Sequence, residues 1–120
     1  FGHTIGHAIE NSAGYGKFLH GEAISIGQIA AARLSQTNSG LSAGEVGRIE
    51  KLFRRAGLPM EIKLNAAQRR KLFAAMKLDK KVSGGEIKFV LAKKIGKVVW
   101  GQNVSAALIE KILAAPGAEQ

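Results

Sequence analysis

From Gly21 to about Thr37 the sequence sets apolar residues around most of a helical circumference. Ala23, Ile26, Gly27, Ala30 and Leu34 form one stripe, and Ile24, Ile29 and Ala31 widen it. A helix of that kind needs cover on nearly every side, so it is expected to be the buried central helix of the fold. The flanking sequence supplies the cover. Ile5, Ala8 and Ile9 are spaced for a short helix from Phe1 to about Asn11, followed by a loop at Ser12-Ala13-Gly14-Tyr15-Gly16. Ser42 and Glu45 form an S-x-x-E capping box, with Leu41 and Val46 as a hydrophobic staple and Gly57 and Pro59 as the stop. The buried face of this third helix is expected at Val46, Ile49, Leu52, Phe53 and Ala56. Asn65 and Gln68 repeat the start signal for a fourth helix carrying Leu72, Phe73 and Met76 and fading near Lys77.

Beyond a turn at Ser83-Gly84-Gly85 the period changes. Ile87, Phe89 and Leu91 alternate with Glu86 and Lys88, as in a half-buried strand, and Val98-Val99-Trp100 reads as a second. Lys93 to Lys97 would join the two as a hairpin. Ser105 then caps a last helix with Leu108, Ile109, Ile112 and Leu113 inward, and Pro116-Gly117 ends the regular structure. The expected architecture is mainly α: one domain over residues 1–120, a helical bundle with one small β-hairpin. At 120 residues and 46% apolar content, such a domain can bury a core without staples.

The chain has no cysteine, which excludes disulfides and thiolate metal sites, so any metal must sit on nitrogen and oxygen. No apolar run approaches the roughly 20 residues of a membrane-spanning helix. The start lacks both an initiator methionine and a signal-like organisation, and it opens directly on motif residues, which suggests a piece of a longer protein. Eighteen Lys and Arg against nine Asp and Glu leave a net charge of +9, so an anionic partner is expected. The basic residues are spread from Lys17 to Lys111 and aromatics make up only 6%, which argues for a small anion over a nucleic acid.

All three histidines fall within the first twenty residues, at His3, His7 and His20. His3 and His7 stand at i and i+4, so on a helix both imidazoles leave from one face. With no glutamate after His3, this is not the H-E-x-x-H protease motif. His20 precedes Gly21-Glu22 at the start of the central helix, where the helix dipole disfavours imidazolium and leaves a lone pair for a metal. Two histidines, one carboxylate and an open position make a usual catalytic zinc site, and Glu10 or Glu22 are the carboxylates to hand. The plainer reading is that the three rings are core or surface residues satisfied by backbone hydrogen bonds. Gly2, Gly6 and Gly21 each adjoin a histidine, and glycine within a helix costs about 1 kcal/mol, so either a ligand approaches the backbone or Gly6 lets two helices pack closely. A second candidate site is Asp79-Lys80-Lys81, whose lysines could bind a phosphate or carboxylate as point charges or could simply be solvated surface.

Phe1-Gly2-His3-Thr4-Ile5-Gly6-His7-Ala8-Ile9-Glu10, then Tyr15-Gly16 and Leu19-His20-Gly21-Glu22-Ala23, resemble the 3-dehydroquinate synthase family within the sugar-phosphate cyclases. Asp79-Lys80-Lys81, Phe89-Val90-Leu91 and Ile95-Gly96-Lys97 extend the similarity in order over almost the whole chain. The resemblance implies the metal- and substrate-binding C-terminal domain of a cytoplasmic, homodimeric, NAD- and zinc-dependent lyase of the shikimate pathway and aromatic amino acid biosynthesis. Such an enzyme cyclises 3-deoxy-D-arabino-heptulosonate 7-phosphate to 3-dehydroquinate with loss of phosphate. It further implies that His3 and His20 ligate zinc or another divalent metal and face the substrate, that His7 is the catalytic proton acceptor, and that Lys80 and Lys81 bind the substrate's anionic groups.

The same resemblance places the third metal ligand, a glutamate, and the NAD-binding N-terminal domain before Phe1, outside this chain. Glu10 and Glu22 match positions not used as that ligand, so Glu22 is expected to orient the His20 turn or cap its helix, and Glu10 to be structural. On this reading the chain alone binds zinc weakly and has no turnover. Two rivals remain: a domain of another sugar-phosphate cyclase, and a basic helical interaction module whose partner binding would collapse with salt.

Overall fold

A computed structural model describes residues 1–11, 19–62, 65–79 and 86–114. Among them are five helices and one antiparallel hairpin: α1 (His3–Asn11), α2 (His20–Asn38), α3 (Ala43–Arg55), α4 (Ala66–Asp79), β1 (Glu86–Lys94), β2 (Lys97–Ser105) and α5 (Ala106–Ala114). The mainly α expectation holds. The loop at Ser12 to Gly16, the Ser83-Gly84-Gly85 turn, Lys80 and Lys81, and Pro116-Gly117 lie outside the described residues. Among the described residues, no helix is long and apolar enough to cross a membrane.

The α2 helix is central, packing against α1, α3, α5 and β1. Ala23, Ile26, Ile29, Ala30, Ala31, Ala32 and Leu34 are all buried. Two serines that the apolar stripe did not mark lie buried among them, and each ties α2 to another segment. Ser25 Oγ donates to the Pro59 carbonyl at 2.6 Å. Ser35 Oγ donates to the Ala31 carbonyl at 2.7 Å and accepts the Ala92 amide of β1 at 2.9 Å. The main core joins α2 to Ile5 and Ile9 of α1, Leu72 and Met76 of α4, Ile87, Phe89 and Leu91 of β1, and Ile109 and Leu113 of α5.

Helix ends follow their capping chemistry. At α3 the Ser42 Oγ accepts from Glu45 N at 3.1 Å while Glu45 Oε1 accepts from Ser42 N at 3.1 Å, and the staple residues Leu41 and Val46 are both buried. Its far end closes as a Schellman motif, with Gly57 at φ +73°, Gly57 N on Arg54 O at 3.1 Å and Leu58 N on Phe53 O at 3.0 Å. Asn65 and Gln68 exchange the reciprocal bonds that start α4, and Ser105 Oγ accepts from Leu108 N at 3.2 Å to start α5.

Three sequence expectations need correction. Of the expected buried face of α3 only Val46 is buried, Ile49 and Phe53 are half-covered, and Leu52 is 66% exposed. The helix packs against α2, and Leu52, Arg54, Arg55 and Ala56 at its far end stay exposed. The fourth helix runs on through Asp79, past Lys77. The strands are also longer and the connection tighter than expected: β1 and β2 pair from Glu86↔Ser105 to Lys94↔Lys97, leaving a two-residue turn with Gly96 at φ +94°. One further contact fixes that turn, since Glu45 Oε2 accepts the Ile95 amide at 2.9 Å. The carboxyl that caps α3 thus also holds the hairpin tip.

Candidate functional site

The α1 and α2 helices approach so closely that no side chain fits between them. A Cβ at Gly2 (φ +84°) would stand 2.5 Å from Gln28 Cγ and 2.8 Å from its backbone N, and one at Gly6 would stand 2.6 Å from Ile24 Cδ1. A Cβ on Gly27 of α2 would run into the Gly2 carbonyl oxygen and lie 2.8 Å from Gly6 N. Gly21 has nothing near it. Gly2 and Gly6 therefore serve helix packing, with Gly27 as a third partner that the sequence reading placed only on the apolar stripe.

This contact carries the histidines. His3 and His7 leave one face of α1 with ring centres 5.0 Å apart. His20, on the first turn of α2, brings its ring to 6.2 Å from each of them. His3 and His20 are exposed and His7 is half-buried, so the three rings form an open cluster on the surface. Glu22 behaves as expected: its Oε1 accepts the Leu19 amide at 2.9 Å and caps α2. Glu10, expected to be structural, places Oε2 2.9 Å from His20 Nδ1, a contact between α1 and the first turn of α2. A signal for this was present in the sequence, because Glu10 stands at i+7 from His3 and i+3 from His7, on the histidine face of the same helix. His3 Nδ1 lies 3.4 Å from the Phe1 carbonyl oxygen. Carbonyl and carboxylate oxygens only accept, so a hydrogen bond at either contact requires the hydrogen on Nδ1, and a neutral ring so bonded has its lone pair on Nε2.

Two imidazoles sharing a tetrahedral zinc through Zn–N bonds of about 2.0–2.1 Å have ring centres roughly 5–6 Å apart. His3 and His7, 5.0 Å apart, fall within that separation and His20, 6.2 Å from each, lies just beyond it, so the three rings offer donors for a metal site without the spacing choosing which two would share an ion. They do not form a complete one: among the described residues, no three His, Cys, Asp or Glu side chains are placed to hold a metal together. Lys80 and Lys81, expected to bind the substrate's anionic groups, lie outside the described residues. A separate broad groove of about 880 Å³ between α2, α3 and α5 contains the 2.9 Å Arg33–Glu50 ion pair, but none of the histidines lines it.

Residues 1–82 match the family model described as 3-dehydroquinate synthase C-terminal. The 3-dehydroquinate synthase of Vesicomyosocius okutanii subsp. Calyptogena okutanii is 46% identical over 114 residues, covering 93% of this chain and 31% of that protein. The enzyme of the same name from Nitrosomonas europaea is 44% identical, covering 95% of this chain and 30% of its own length. The chain thus spans about a third of the curated relatives it matches. Among solved structures, 2-deoxy-scyllo-inosose synthase complexed with carbaglucose-6-phosphate, NAD+ and Co2+ superposes with a TM-score of 0.80 at 25% identity, over 95% of this chain and 33% of that one. Because the family model matches residues 1–82 and relatives 44–46% identical cover more than nine-tenths of its length, the chain belongs to the 3-dehydroquinate synthase C-terminal family.

Proposed function

We propose that this chain supplies the metal- and substrate-facing half of a 3-dehydroquinate synthase, and that a nucleotide-binding half supplies NAD and the remaining metal ligand. The observation that supports this most directly is the meeting of His3, His7 and His20 from two helices at ring separations of 5.0–6.2 Å. In this reading His3 and His20 hold a divalent cation through Nε2. When bound, the cation supplies Lewis acidity to a substrate oxygen. His7, beside both rings and with no hydrogen-bond partner among the described residues, accepts and returns a proton at a ring nitrogen. Lys80 and Lys81 engage the phosphate and carboxylate of a seven-carbon sugar-acid phosphate. The Co2+ and NAD+ bound by 2-deoxy-scyllo-inosose synthase support a divalent metal and a nicotinamide cofactor for the whole enzyme.

The test joins this chain to the preceding portion of the Nitrosomonas europaea enzyme and measures phosphate release from 3-deoxy-D-arabino-heptulosonate 7-phosphate with NAD+ and Zn2+ or Co2+. The chimera should turn over, while H3A, H20A and H7A variants and the unjoined chain should not. Full activity in H3A and H20A variants, or turnover by this chain alone, would overturn the assignment. A chimera that prefers another sugar phosphate would move it to a sister cyclase.

A further inference from the structure

We propose that Glu10 is a positioning residue for His20, locking the ring as its Nδ1–H tautomer so that Nε2 is the nitrogen left free to bind a metal. The metal part of this proposal rests on the function proposed above; the tautomer part does not. Glu10 Oε2 lies 2.9 Å from His20 Nδ1, and the glutamate side chain is only 27% exposed against 61% for the histidine. Among the described residues no ion pair joins Glu10 to a Lys or Arg.

The scaffold makes that contact reproducible. Glu10 sits on α1, His20 opens α2, and the two helices are held together by the Gly2, Gly6 and Gly27 contact, which leaves little room to slide. An ionised carboxylate has no hydrogen to give, so the shared hydrogen belongs to Nδ1 whether the ring is neutral or charged. The Phe1 carbonyl, 3.4 Å from His3 Nδ1, favours the same tautomer there more weakly. Two rings on separate helices would thus each offer an ion the same nitrogen, Nε2. A carboxylate behind a ligating histidine also raises the basicity of the coordinating nitrogen, and losing such a partner typically weakens metal binding roughly 10–100-fold.

The test uses the 120-residue chain and two readouts. In the metal-free protein, long-range 1H–15N spectra recorded where the rings are neutral should show His20 with a protonated Nδ1 and a bare Nε2. Glu10→Ala should shift His20 toward the opposite tautomer, and Glu10→Gln, whose amide oxygen still accepts, should restore it. In Co2+ titrations followed by visible absorbance, Glu10→Ala should weaken binding roughly 10–100-fold, with Glu10→Gln intermediate and the helical circular dichroism unchanged. A parent His20 protonated on Nε2, or a tautomer unmoved in Glu10→Ala, would overturn the positioning role. If Co2+ binding needs His3 and His20 but not Glu10, the positioning role falls and the metal reading stands. If the tautomer follows Glu10 but Co2+ binding ignores both histidines, the positioning role stands and the metal reading falls.

Discussion

Adding one methyl group at Gly27 tests whether the α1–α2 contact holds the histidine cluster together. Ala is the better helix former by about 1 kcal/mol, so on an isolated helix the change would stabilise. Here the new Cβ would run into the Gly2 carbonyl oxygen, lie 2.8 Å from Gly6 N and 3.1 Å from Gly2 C, where real Cβ atoms keep at least 3.0 Å. These are backbone atoms, and Gly2 O is also fixed by accepting the Gly6 amide at 3.0 Å, so no side chain can rotate out of the way. The helices must separate. Overpacking of a tight contact costs about 1–3 kcal/mol, and a gap of roughly 0.5–1 Å forfeits a quarter to a half of each dispersion contact across the interface.

Taking the upper end, because the obstacle is main chain, about 3 kcal/mol of cost less about 1 kcal/mol of propensity leaves a net loss near 2 kcal/mol. For a domain of this size that lowers Tm by roughly 8 °C. The control is Gly47→Ala on the exposed face of α3, where a Cβ meets nothing within 4 Å. It should gain up to about 1 kcal/mol. Thermal and urea unfolding of the two variants beside the parent would measure both changes. If Gly27→Ala proves as stable as Gly47→Ala, the close-contact argument is wrong.

Three further substitutions probe the frame. Ser35→Ala removes a fully buried hydroxyl that serves the Ala31 carbonyl and the Ala92 amide, and stranding that amide should cost about 1–3 kcal/mol in urea unfolding. Leu72→Ala empties a 0% exposed site between α4 and the main core and should cost about 2–5 kcal/mol by the same assay. The Glu45 carboxyl is held below its ordinary 4.5 first by the Ile95 amide, then by the Ser42 amide and hydroxyl, with a smaller pull from Arg48. A folded-state pKa below the unfolded one gives stability that is present above 4.5 and lost as pH falls through the lower folded value. In Glu45→Gln the acid limb of a stability-versus-pH curve should therefore flatten relative to the parent, and coincident limbs would contradict the assignment.

Much of this fold was legible because its signals are local. The stripe on α2, the Ser42–Glu45 and Asn65–Gln68 boxes and the Gly57 stop each act within a few residues of chain, and each forms as read. Periodicity on α3 showed an apolar stripe but not whether anything covered it, which is why Leu52 and Ala56 came out exposed. The hairpin was read short because Lys93, Lys94, Gln102 and Asn103 look like loop residues, whereas strand pairing is set by a backbone ladder to which polar side chains are no obstacle. Ser35 and the second bond of Glu45 were not legible, since their partners lie 57 and 50 residues away.

The site divides in the same way. The His3–His7 pair follows from helix geometry alone, and Glu10 was readable by the same rule, since i, i+4 and i+7 share a face. The arrival of His20 is a tertiary fact that depends on three glycines, two of them beside histidines and one twenty-one residues beyond Gly6. Glycine next to a ligand-like residue therefore carried two meanings that sequence could not separate, ligand approach or helix approach, and here helix approach is what brings the rings together. Removing the Cβ atoms at that crossing is what allows residues seventeen apart in the chain to bring their rings within 6.2 Å of each other.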